Sequence, residues 1–180
     1  LRETQYELYF KEKSIHALKV YLSVFRKIYA AKTMKAVLAR FDFDVACAAI
    51  EYSNIQDALS LFKDIKEWHY ISDSQQSLLH VCVQHERVDL LPFILDKTTE
   101  IMNGLDHNKR TALHYAVDKN AEAMVGILLG KPGIELRHHD ISLQTVLHSA
   151  VRCGLEILVY RVLSECPQLF FAKDASGHTP

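Results

Sequence analysis

An interval of 34 residues governs this chain. Ser77-Leu78-Leu79-His80-Val81-Cys82, Thr111-Ala112-Leu113-His114-Tyr115-Ala116 and Thr145-Val146-Leu147-His148-Ser149-Ala150 begin one such interval apart. The likeness runs on, because Val88 to Leu95, Glu122 to Leu129 and Glu156 to Leu163 are apolar stretches in the same register. A fixed period of this size implies units that cannot bury both faces alone and therefore stack, with one core running along the stack. Asp174-Ala175-Ser176-Gly177-His178-Thr179-Pro180 opens a further copy, so the stack is expected to continue in a parent protein. The start at Leu1 rather than at Met marks the chain as a fragment or processed product.

One unit can be read residue by residue. Thr111 is placed to cap a helix, its hydroxyl meeting a backbone N–H that has no partner in the first turn. Leu113, Ala116 and Val117 then form a narrow apolar stripe, with small Ala116 where two helices must approach closely. Asn120 suits the left-handed turn that ends the helix. Met124, Val125, Ile127 and Leu128 give the second helix a wider apolar face, as a helix between two neighbours needs, and Lys131-Pro132-Gly133 stops it. The polar stretch from Ile134 through Asp140 is the hairpin-like connection to the next unit. Six Gly and four Pro in 180 residues leave little material for many tight turns or a phosphate-cradling loop, so helix should dominate.

These motifs resemble the ankyrin repeat family, whose units have nearly this length and open their first helix with T-P-L-H-x-A. Leu and His are kept in all three copies, while Ser77 stands for Thr, and Leu78, Ala112 and Val146 stand where Pro is usual. The resemblance covers residues 72–180 and implies an all-α, ankyrin-type α-solenoid of stacked helix-turn-helix units with hairpin-like connections. It gives repeats at 72–105, 106–139 and 140–173 and the start of another at 174–180. Lys109 and Leu143 occupy connection positions where the family favours Gly.

Before the repeats, residues 43–71 read as a degenerate repeat or as a plain helical hairpin capping the stack. Residues 1–42 form an N-terminal helical region, with Ile15, Leu18, Val20, Leu22, Phe25, Ile28 and Tyr29 in one helix-length stretch and Met34, Val37 and Leu38 in a second. Lys11, Lys13, Lys19, Arg26, Lys27, Lys32, Lys35 and Arg40 collect here as a solvated helix face, or as a docking surface for an acidic partner or nucleic acid. Tyr6, Tyr9, Phe10, Tyr21 and Tyr29 lack the strand pattern of a base-stacking platform and read as packing aromatics. With 21 Lys and Arg against 22 Asp and Glu, no strong overall field draws the chain to nucleic acid, and none is expected as a partner. No apolar run is long enough for membrane insertion.

Catalytic chemistry finds few candidates. His80, His114 and His148 recur with the repeat, but packed helices lie about 8–10 Å apart while zinc–nitrogen bonds are about 2.0–2.1 Å. One metal therefore cannot take all three, and the resemblance implies instead that each imidazole, with Thr111 and Thr145 as structural-motif partners, bonds backbone in the adjoining connection. His138 and His139 read as turn material. Cys47, Cys82, Cys153 and Cys166 show no CxxC spacing, Cys82 occupies the small-residue position of Ala116 and Ala150, and reduced thiols point to a cytoplasmic or nuclear setting. No Gly-rich phosphate loop, HExxH or GxSxG occurs, so the expectation is a protein that is not an enzyme and has no cofactor and no metal. Asn103 after Ile101-Met102 looks like the Leu-then-Asn spacing that asparaginyl hydroxylases use in ankyrin repeats, which makes it a possible hydroxylation site.

Function must then come from the surface of the stack. In ankyrin arrays the connection tips and the exposed side of the first helices line a concave groove. Carried onto this chain, the groove takes Asp73 and Gln76, His107, Asn108 and Arg110, and Ile141, Ser142 and Gln144 from the tips. The first helices add Gln84 and His85, Asp118 and Lys119, and Arg152. Arg110, Lys119 and Arg152 give its middle a cationic bias relieved by Asp118, which points to a protein or peptide ligand of acidic character, and Arg with the apolar Ile141 are the expected anchors. The expected function is a non-catalytic scaffold that binds a partner protein or peptide. The alternative is a regulatory ankyrin region of a larger protein, such as a channel's cytosolic part, a transcription-factor inhibitor or an effector with its enzymatic domain elsewhere.

Overall fold

The structure, a computed structural model, describes residues 15–28 and 35–180, and its contacts divide the chain into two units at Ser72 and Asp73. Lys11, Lys13, Lys32, Tyr6, Tyr9, Phe10, Tyr29 and Met34 of the sequence reading lie outside the described residues. No helix among those described is long and apolar enough to cross a membrane.

In the first unit, α1 (Ile15–Ile28), α2 (Lys35–Tyr52) and α3 (Ile55–Phe62) follow one another. Phe25 of α1 stacks on Phe41 of α2 with ring centroids 4.1 Å apart. Val45, Ala49, Ile50, Ala58 and Leu61 close the core between α2 and α3. Asn54 caps α3 by accepting the Asp57 N–H at 3.0 Å and donating from its amide to the Asp57 carboxylate at 2.7 Å, which satisfies an end the helix itself cannot. Asp42 is a buried carboxylate that receives Arg26 of α1 at 2.5 Å and the Lys66 N–H beyond α3 at 3.0 Å. Arg26 is therefore committed to an ion pair, not to a free basic face. Helix α2 runs unbroken through residues 42 and 43, where the sequence reading divided the N-terminal region from the segment before the repeats.

The second unit holds three helix pairs: α4 (Leu78–Gln84) with α5 (Leu91–Lys97), α6 (Ala112–Asp118) with α7 (Glu122–Leu129), and α8 (Val146–Cys153) with α9 (Glu156–Glu165). The first helices pack in the order α4, α6, α8, and each second helix packs on its own first. Short helices start where they do because the hydroxyl residue and the histidine three positions on cap each other. The N–H of Ser77, Thr111 and Thr145 donates to Nδ1 of His80, His114 and His148 at 3.2, 3.2 and 3.1 Å. Each first helix ends in one left-handed residue, Glu86, Asn120 or Gly154, and the next N–H closes back on the helix as a Schellman turn requires, Ala121 to the Ala116 carbonyl at 3.0 Å. Leu79, Leu113 and Leu147, with Cys82, Ala116 and Ala150, fill the core at two positions per repeat.

Among the described residues there is no strand, and the expected hairpin-like connection is reduced to one antiparallel bridge between His139 and Thr145. The all-α solenoid is the fold the period implied.

Candidate partner-binding surface

Three of the four connection tips are each built by one acidic residue. Oδ1 of Asp106 accepts the N–H of Asn108 and of Arg110, both at 2.9 Å. Asp140 does the same for Ser142 and Gln144 at 2.8 and 2.9 Å, and Asp174 for Ser176 and His178 at 2.9 Å. The chain then turns back through a residue with positive φ: Gln75 at 59°, Lys109 at 57°, Leu143 at 57° and Gly177 at 84°. Only the last is glycine, so three tips hold an L side chain in a conformation that crowds its Cβ. Successive tips are joined by one backbone bond per step, His107 to the Ser74 carbonyl at 3.2 Å, Ile141 to Asn108 at 3.0 Å and Ala175 to Ser142 at 2.9 Å.

Asp73, His107, Asn108, Ile141 and Ser142 are exposed on these tips, with Gln76 and Gln144 half-buried beside them. Gln84 and His85 end α4. The cations, however, are brought together with anions. Arg110 pairs with Asp118 and lies over the Tyr115 ring at 4.6 Å. Arg152 reaches the other oxygen of Asp118 at 3.0 Å and the Ser149 hydroxyl at 2.9 Å, and Lys119 meets Glu86 at 2.9 Å. Burial pushes the Asp118 carboxyl up, but Ser149, Arg110 and Arg152 outweigh it and hold it below the ordinary carboxylate range. The cationic bias of Arg110, Lys119 and Arg152, already set against Asp118 in the sequence, is thus taken up by Asp118 and Glu86, within the repeat for Arg110 and across neighbouring repeats for Lys119 and Arg152. Charges one period apart become neighbours in the stack.

Asp106 shows the same balance: burial raises its carboxyl, and the Tyr115 hydroxyl at 2.5 Å with the two tip amides brings it below the usual range.

The repeated histidines are structural. Because Nδ1 accepts, the ring proton is assigned to Nε2, and His80 donates it to the Arg110 carbonyl at 3.0 Å. His148 does likewise to His178 at 3.3 Å. His114 departs from the expectation, since its buried Nε2 has no partner. Desolvation lowers its pKa to about 4, with the Arg110 charge acting in the same direction. His139 is exposed on the connection, and among the described residues no group of three or more His, Cys, Asp or Glu converges on a metal-sized space.

Asn103 is not free for chemistry as it stands. Its amide donates to the Gly133 carbonyl at 2.8 Å and accepts the Glu135 N–H at 2.9 Å, joining two connections. A hydroxylase would have to withdraw it from both bonds. Cys82 is buried, gives its thiol to the Arg87 carbonyl at 3.3 Å, and has its pKa pushed up to about 12 by desolvation, which suits packing and not nucleophilic attack.

Exposed aliphatic residues carry the signal that the sequence reading caught only in part. Ile141 is 61% exposed, and Leu143, two residues on in the same tip, is 45% exposed. Leu143 was read as a missing glycine, not as a contact. Ile157 and Tyr160 on α9 were aligned with apolar helix positions, yet they stand in solvent.

Comparison with known proteins gives the same picture. Cow and human SMC5-SMC6 complex localization factor protein 1 are each 34% identical to this chain over 70 residues, which is 39% of this chain and 7% of that protein. The transient receptor potential channel pyrexia of Drosophila melanogaster is 36% identical over 76 residues, 42% of this chain and 8% of the channel. The chain therefore spans only a small part of the relatives it matches. Residues 45–140, more than half of the chain, match the family described as ankyrin repeats in three copies. The match takes in the end of α2, all of α3 and the first two of the 34-residue repeats, and with the capped helix pairs it places the chain in the ankyrin repeat family.

Proposed function

We propose that this chain is a non-catalytic recognition module that holds a partner protein on the surface made by its tips and first helices. Ankyrin repeats are generally protein–protein interaction modules, and the observation that carries the reading here is Leu143. It combines a left-handed backbone with an exposed aliphatic side chain, two costs that nothing in the fold offsets. With Ile141 beside it, the third tip offers a compact apolar contact ringed by Ser142, Gln144 and Asn108. The paired arginines make an acidic partner less demanding of this surface than composition suggested, and they orient the tips instead. Four unpaired cysteines favour a reducing compartment, the cytoplasm or nucleus.

The test is affinity capture from an extract with wild type beside an Ile141→Ser, Leu143→Gly double variant. Loss of the captured partner with an unchanged or raised unfolding midpoint supports the assignment. Equal recovery removes the third tip from the interface.

A second reading keeps the module but makes it the regulatory ankyrin region of a larger protein. The observation favouring it is that the relatives match over 7% and 8% of their own lengths. A longer chain containing this segment, tested for an activity that changes when the Ile141 and Leu143 contact is removed, distinguishes the two.

A further inference from the structure

On the side of the second helices, α7 and α9 part to leave an open cleft of about 360 Å³. Its walls are Val125 and Leu129 from α7 and Leu155 and Leu158 from α9, all buried. Gly126 also lines it, and a Cβ built there meets nothing within 4 Å, so a larger side chain at this position would enter open space. Ile157 lines the cleft while standing 83% exposed, and Tyr160 on the next turn of α9 is 74% exposed. Large apolar side chains at such exposure forgo the stabilisation that burial would give them.

The repeat supplies its own control for what could cover them. One period earlier, Ala123 and Gly126 hold the places of Ile157 and Tyr160, and one period earlier still, Asp89 and Pro92 do. All four are exposed, and Ala123 and Gly126 stay so although α9 follows them in the stack. The place of Ile157, held by Ala123 one period earlier, is therefore one that a following repeat leaves in solvent, whereas that of Tyr160 is the cleft-lining place of Gly126. By contrast, Val125 and Leu129 are buried, and their counterparts Val159 and Leu163 are only half-buried.

The charge at the cleft is one-sided. Glu122 and Glu156, each in the first turn of its helix, are its only charged lining residues, and both are exposed. Two copies of this chain meeting through the cleft would set these carboxylates against each other. A partner segment with an aliphatic side chain flanked by Lys or Arg would bury its anchor between Leu129 and Ile157 and pair its cations with the two glutamates.

We infer that the α7–α9 cleft is a second recognition site, one that takes an apolar side chain on a basic peptide segment of a partner protein. It is separate from the tip surface and does not depend on that reading.

Fluorescence anisotropy with short labelled peptides tests this on the 180-residue chain. A peptide alternating leucine and lysine should bind wild type more tightly than peptides of alanine with lysine or leucine with glutamate. Gly126→Leu, which fills the cleft and favours helix, should weaken that binding about tenfold or more without lowering the thermal midpoint. Glu122→Lys with Glu156→Lys should weaken it by a similar factor, about tenfold. Leu143→Gly should leave it unchanged, so that failure at the tips and failure at the cleft are told apart. Equal binding by wild type and Gly126→Leu would overturn the inference. So would a dimer in sedimentation equilibrium that Gly126→Leu dissolves, because it would assign the cleft to a second copy.

Discussion

At the scale of single residues, the stack relies on groups kept in one protonation state. His80 and His114 are buried and neutral, and desolvation lowers the pKa of both from the ordinary histidine value. The unfolded chain therefore binds protons more readily than the folded one, so their contribution is complete above about pH 6.5 and shrinks as pH falls. For His114, whose folded value is about 4, the loss by pH 5 is about 2 kcal/mol. Urea unfolding at the two pH values should show a lower midpoint at pH 5, and His114→Gln should flatten the difference. Leu143 gives the opposite kind of prediction. Leu143→Gly relieves the left-handed backbone at φ 57° and should stabilise the fold by about 0.5–1 kcal/mol in the same assay, after the entropy cost of glycine is subtracted. The sequence made the conformation at 143 legible, because a residue stands where the family has glycine, but it could not show that the side chain is left in solvent. The partnerless Nε2 of His114 was not legible either, since the same motif finds a carbonyl in the repeats on both sides.

At the scale of elements, the helix starts were the most readable feature. A hydroxyl residue with histidine three places on fixes the first turn chemically, and the structure repeats the same pair of bonds at Ser77, Thr111 and Thr145. Thr111→Ala removes the hydroxyl that accepts the His114 N–H and should cost about 1–2 kcal/mol, read as a fall in the denaturation midpoint. Asn120 was legible as a left-handed turn residue for the same local reason, and its φ is 53°. In helix α2 the sequence did not show that Asp42 is buried, because it is drawn inward by Arg26 and the Lys66 amide. Only the tertiary partner explains a carboxylate that is 2% exposed. Asp42→Ala leaves that amide and the Arg26 guanidinium unpaired and should lower stability by about 2 kcal/mol, with loss of helical circular dichroism at lower urea.

At the scale of the whole molecule, the same period that reveals the repeats also pairs their charges. Glu86 with Lys119, Asp96 with Lys131, and Asp118 with Arg152 lie 33, 35 and 34 residues apart, and each joins one repeat to the next. Reading charges at this separation finds these pairs from sequence; the sequence reading named Asp118 as relieving the groove cations but gave Lys119 no partner. A double-mutant cycle on Asp118→Ala and Arg152→Ala should give a coupling of about 0.5–1 kcal/mol, decreasing with added salt because Arg152 is exposed. The cleft beside Gly126 was beyond sequence reasoning, since a glycine in a helix reads as a defect until its neighbour is seen standing apart from it. The tips have a mechanical side as well. Their backbones are joined by one N–H···O bond per step, while the helices behind them present broad apolar faces. Tension applied along the row of tips would therefore lengthen that edge first, parting one bond at a time and bowing the array, and slackening would let each bond snap shut again without any helix having melted.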